Sequence, residues 1–149
     1  MIRSTLLATA FVSVALPAAA QSTFERLEAV AVTINGMMFD TMVAQTPALE
    51  GNMPSAEWSD GLRAAYTCMY DGFVAEVGEP AMEAMVASME AQLDTITPEE
   101  VMNGGADIDN PEGLSDAQAA EIVADCGMME AFMTHMSSTG ALQILMQDG

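Results

Sequence analysis

Residues 22–44 read STFERLEAVAVTINGMMFDTMVA, and whether this stretch is a helix or a hairpin decides the fold class. Ser22-Thr23-Phe24-Glu25 has the form of a capping box, in which a serine and a glutamate three residues on satisfy each other's backbone donors. Phe24, Leu27, Ala31, Ile34, Met38 and Met42 then recur at steps of three and four, the period of one helix face. Against this stands Asn35-Gly36, a strong signal for a two-residue hairpin turn, with Val30, Val32 and Ile34 alternating before it and Phe39 and Val43 after it. The helical period accounts for more positions than the alternation. The reading is therefore a helix over 23–44, with a hairpin around Asn35-Gly36 as the alternative.

Downstream, the punctuation is that of a helical protein with short connections. Pro47, Gly51, Asn52 and Pro54 mark a loop over 46–54, after which Ser55 is placed to cap a second helix. That helix has Trp58, Leu62, Ala65, Met69, Phe73 and Val77 on one side, Tyr66 and Cys68 flanking, and Gly78 as its stop. Pro80 suits a first helical turn, and Met82, Met85, Val86, Met89 and Leu93 continue a stripe to about residue 94. Thr97-Pro98-Glu99-Glu100 is a further capping signature that Asn103-Gly104-Gly105 ends quickly. Ser115-Asp116-Ala117-Gln118 caps a last long helix with Ile122, Val123, Cys126, Met129, Met133 and Met136 inward. Gly140 then separates a short final helix around Ile144. The fold class expected is all-α, a small bundle of four to six helices.

The N-terminus reads differently. Met1-Ile2-Arg3 is a positive start, Leu6 to Leu16 is almost wholly apolar, and Ala18-Ala19-Ala20 satisfies the small-residue cleavage rule. Residues 1–20 are expected to be a signal peptide that is removed, leaving 21–149 as a single acidic helical domain. A membrane anchor is the rival, but the apolar run is shorter than the roughly 20 residues a span needs. No later segment is expected to be apolar for long enough to cross a bilayer. Export, most simply to a periplasm and otherwise to the extracellular space, also gives the two cysteines a setting. Cys68 and Cys126 are expected to form one disulfide stapling two helices.

Charge excludes whole classes of partner. The 149 residues hold 22 acidic side chains against three arginines and no lysine; loss of Arg3 leaves two arginines against 22 acids, a formal charge of −20. Nucleic acids and anionic membranes are held by Lys and Arg, so neither is expected as a partner. Cationic or apolar ligands and proteins stay open. The absent lysine also removes Schiff bases, the P-loop lysine and Ser-Lys pairs. One histidine supplies neither H-E-x-x-H nor the paired E-x-x-H motifs of a di-iron bundle. His135 beside Ser137 and Ser138 lacks a nucleophile elbow, and hydroxyls at a helix end are ordinarily caps. Asp107-Ile108-Asp109-Asn110 fails as a calcium loop, because Glu112 and Gln118 stand where an EF-hand needs glycine and glutamate. The expectation is not an enzyme.

Methionine is the unusual residue, 15 in all. Met37, Met38 and Met42 form one group, Met82, Met85 and Met89 a second, and Met128, Met129, Met133 and Met136, with His135 among them, a third. Steps of three and four make these stripes first of all core, since methionine fills irregular gaps. Met-lined grooves also adapt to varied apolar or amphipathic partners, and an acidic rim selects basic ones. The expected function is a non-enzymatic binding or interaction module with a Met-rich apolar surface. The alternative is a periplasmic soft-metal protein that holds Cu(I) through Met128, Met129, Met133, His135 and Met136, thioethers being soft ligands. His135 falls on a different stripe from Met129, Met133 and Met136, which weakens that alternative.

Overall fold

The computed structural model describes residues 21–102 and 109–148, and its first helix, α1, runs unbroken over Thr23–Gln45. The capping box forms as read: Ser22 Oγ accepts from the Glu25 N–H at 3.2 Å, and the Glu25 carboxylate accepts from the Ser22 N–H at 2.7 Å. Asn35-Gly36 makes no turn. Asn35 is buried and its Nδ2 donates to the Ala56 carbonyl at 3.3 Å, so the residue that argued for a hairpin ties the following loop to the helix.

After a 3-10 turn at Pro47–Leu49 come α2 (Asp60–Val77), α3 (Glu79–Gln92), α4 (Pro98–Met102), α5 (Asp116–Asp125), α6 (Met128–Ser137) and α7 (Ala141–Asp148). The described residues thus form an all-α bundle with no strand and seven α-helices, one more than the expected upper bound. The extra helix comes from Gly127. Its φ of 63° and ψ of 30° lie in the left-handed region open to glycine, so the long helix expected from Ser115 to Met136 is two, α5 and α6. Cys126 accordingly sits at the C-cap of α5 and not in mid-helix. A second correction concerns α2, which Ser59 caps by accepting from the Leu62 N–H. Ser55 stays in the loop, where its Oγ accepts from the Glu57 N–H.

Three apolar clusters follow α1 along its length, about 34 Å at 1.5 Å per residue. Leu27 enters the first with Tyr70, Phe73, Met82, Val86, Leu114 and Ala119. Ala31 enters the second with Trp58 and Leu62, where Trp58 stacks on Tyr66 at 3.9 Å between ring centroids. Phe39 enters the third with Leu49, Met136 and Ala141. Helix α2 packs on α3, α5 and α6, and α7 closes the far end against α6 and the 3-10 turn.

One expectation about α1 is overturned. It contains an 18-residue window of mean hydropathy 1.2, so by length and composition it is apolar enough to cross a membrane. In the bundle only 28% of that window is buried, which leaves much of its apolar length partly covered. The stretch weighed as a calcium loop falls in part outside the described residues, at Asp107 and Ile108, and the expected signal peptide over 1–20 lies wholly outside them.

Cys68 and Cys126 form the expected disulfide, with Cα atoms 5.7 Å apart, and join the exposed side of α2 to the α5–α6 junction. The bridge fits an oxidising compartment. Closing 58 residues of separation removes chain entropy worth about 4 kcal/mol in the unfolded state. Replacing both cysteines by serine should cost about 2–4 kcal/mol in urea unfolding, and reductant should do the same to the unaltered chain. Gly36 gives a sharper test of α1. An alanine Cβ there would stand 3.9 Å from the Ala56 Cβ, an ordinary contact, so Gly36→Ala should stabilise by about 0.5–1 kcal/mol. A hairpin turn needing positive φ would respond with a loss.

Candidate functional site

The methionines of α3 divide by one helical position. Met82 and Val86, a turn apart, are completely buried, while Met85 and Met89 lie on the adjacent stripe and are half-buried. The same offset operates on α2, where Tyr70 and Phe73 are buried and Met69 is not. These displaced methionines border a groove of about 400 Å³ between α1, α2, α3 and α5. Helix α1 contributes Leu27 and Ala31, α2 Tyr66, Met69 and Phe73, and α5 Ala119, Ala120 and Val123. Its floor is apolar. Burial pushes the Tyr66 phenol up from its ordinary value, so that wall is uncharged at neutral pH. Behind it, Tyr70 is pushed up to about 12 by burial and then by its hydrogen bond to Glu79, the phenol donating at 2.6 Å.

The rim is acidic. Asp109, Asn110 and Asp116 border the groove, and Asn110 Nδ2 donates to Asp116 Oδ1 at 2.8 Å. A smaller hollow of about 80 Å³ adjoins it, sharing Met85, Met89, Asp109 and Asn110 and adding Glu112. Neither arginine of the described chain borders either hollow. Both are engaged elsewhere. Arg26 donates to the Glu90 carboxylate at 3.0 and 2.6 Å, with Glu83 at 3.9 Å, and so clamps α1 to α3. Arg63 pairs with Glu28 on α1. Arg63 thus links two helices and does not pair with Asp60 three residues before it on its own helix. Partly exposed pairs of this kind contribute at most about 1 kcal/mol each, so their effect is on helix spacing more than on total stability.

A larger hollow, about 740 Å³, lies between the start of α2 and α6 beside the disulfide. Its lining is small or polar, with Asp60, Gly61, Ala64, Gly127, Glu130 and Thr134 among it, and no large apolar side chain converges there. In the groove by Met85 and Met89, by contrast, several long apolar side chains meet an open space.

Of Met128, Met129, Met133, His135 and Met136, only the last two are buried. Met136 is 3% exposed, inside the cluster with Phe39 and Leu49, and His135 is 6% exposed. The His135 Nε2 lies 2.9 Å from the Ser55 carbonyl oxygen, which only accepts, so that nitrogen carries the proton. Met129 and Met133 face outward at 74% and 40% exposure, and Met128 is half-buried. The five therefore divide between interior and surface. The Ser137 and Ser138 hydroxyls donate to the Met133 and His135 carbonyls at 2.5 and 2.6 Å, the bonding of helix-end caps. Among the described residues there is no group of three or more His, Cys, Asp or Glu placed to hold a metal ion.

Sequence reading treated Met82, Met85 and Met89 as one stripe and did not find the groove. The available signal was that Met85 lies one position before Val86, off the 82–86–93 line. Comparisons with protein-family profiles, with curated proteins and with solved structures return no match.

The clamp beside the groove has a measurable signature. The Arg26 hydrogen bond holds the Glu90 carboxyl below its ordinary value near 4.5. Because the folded value is depressed, the stability this pair contributes is complete above the ordinary value and is lost as pH falls through the lowered one. In an NMR titration Glu90 should titrate below 4.5 and return towards it in Arg26→Gln, whereas Glu25 and Glu100, held low by bonds to Ser22 and Thr97, should not move.

Proposed function

We propose that this is a small exported protein, periplasmic in the simplest case, that works without catalysis as a binding module. The observation that carries the reading is the groove itself: Met69, Met85 and Met89, half-buried, surround about 400 Å³ of space with an apolar floor and carboxylates at the edge. A groove of this size lies within the roughly 300–1,000 Å³ of ligand sites. Unbranched thioether side chains repack around different apolar shapes, which suits recognition of a partner better than positioning of a reacting atom. Export is supported by the Arg3, Leu6–Leu16 and Ala18-Ala19-Ala20 pattern and by the disulfide between Cys68 and Cys126.

The soft-metal alternative would draw on Met129 and Met133, one turn apart on the outer face of α6, without His135, whose Nε2 is taken by Ser55. It is the weaker reading.

A hydrophobic dye that fluoresces on leaving water tests the module directly. The oxidised protein should bind it, and Ala120→Phe, a change at an exposed position on the groove wall, should reduce binding by about tenfold while leaving the fold intact. Absence of dye binding by the folded, oxidised protein, or binding unaffected by Ala120→Phe, would remove the reading.

A further inference from the structure

We propose that the occupant of the groove is a cationic amphipathic segment of another protein, apolar side chains inward and Lys or Arg against the rim; this rests on the groove being the binding site. Three carboxylates, those of Asp109, Glu112 and Asp116, border the groove and the hollow that adjoins it, and no cation lines either. The only charge-neutralising groups nearby on the helices that form the walls are already used, since Arg26 is held by Glu90 and Arg63 by Glu28. The rim therefore keeps its negative charge for whatever enters.

That charge chooses between occupants. A second copy of this chain would bring about 20 further negative charges, with no lysine to answer them, and like charge opposes that encounter at every orientation. An anionic membrane surface is repelled for the same reason. A neutral apolar segment would fill the floor but leave the three rim carboxylates unanswered and partly desolvated, a cost that selects against it. An amphipathic helix with basic flanks meets both demands. Apolar positions three and four apart lay one face into a groove, and Lys or Arg on either side reaches the carboxylates. The methionines at 69, 85 and 89 adjust to the shape of the entering side chains, so recognition by charge and loose recognition by shape go together.

The experiment uses the oxidised, exported protein and three labelled helical peptides that share one leucine face and carry lysine, glutamine or glutamate on the other. The lysine peptide is expected to bind about tenfold or more tighter than the glutamine peptide, with the glutamate peptide weakest, and the advantage should shrink severalfold on raising the salt to several times the physiological level. Neutralising the rim by Asp109→Asn, Glu112→Gln and Asp116→Asn together should remove most of that advantage. Neutralising Asp40, Glu50 and Glu57, exposed acids that border neither the groove nor the adjoining hollow, should leave most of it. Equal binding of the lysine and glutamine peptides overturns the proposal and leaves the apolar module standing. Equal loss in the two triple variants also overturns it, because the preference would then belong to the chain's total charge. If no peptide binds although the dye does, the partner assignment fails alone; if the dye does not bind either, the groove reading fails with it.

Discussion

The apolar side of α1 is the constraint on which the remaining packing depends. Leu27, Ala31 and Phe39 each enter a different cluster, so three groups of side chains far apart along the chain share one rigid axis. This helix of 23 residues is held mainly by the partners that cover its apolar side, since in proteins most helical stability comes from tertiary packing. A break at Asn35-Gly36 would separate the cluster around Leu27 from the one around Phe39. The buried Asn35 amide, bonded to the Ala56 carbonyl, prevents the loop before α2 from leaving that axis.

A chain this acidic must hold its helices against its own repulsion. Both arginines of the described residues lie on α1 or α2 and reach a neighbouring helix, Arg26 to α3 and Arg63 back to α1. Helix starts use some of the carboxylates constructively: Glu25 and Glu100 close capping boxes, where the N-terminal dipole favours negative charge. The disulfide supplies a link whose strength does not depend on charge, between α2 and the point where Gly127 separates α5 from α6. Together these contacts let a protein with few cations keep a defined bundle and an uncancelled acidic surface.

The groove is a consequence of how four helices meet. Met82 and Val86 of α3 fill the centre, and the stripe beside them, Met85 and Met89, reaches a place where α5 presents the small side chains of Ala119 and Ala120. Small residues opposite long ones leave space. Close contact is kept further along, where Gly72 admits Ile122: a Cβ at Gly72 would stand 2.7 Å from the Ile122 Cγ2. The tight crossing of α2 and α5 at that glycine and the gap at the two alanines are features of one interface.

The sequence by itself determined the all-α class, the capped starts at Ser22, Thr97 and Ser115, the pairing of Cys68 with Cys126 and the apolar side of α2, because each depends on spacing within a few residues or on there being only two cysteines. It did not determine where local signals compete. Ser55 has the residue type of a cap, but Ser59 caps α2 in the structure, and the loop before it places the Ser55 carbonyl at His135, 80 residues away. Gly127 carries a weak stop signal in an otherwise helical pattern, and its left-handed φ separates α5 from α6, both of which pack on α2. The partition of the methionines was decided by tertiary structure alone. Periodicity identifies a stripe but not its width, and whether Met85 is core or groove, or Met129 surface, depends on the size of the side chains that other helices bring to meet it.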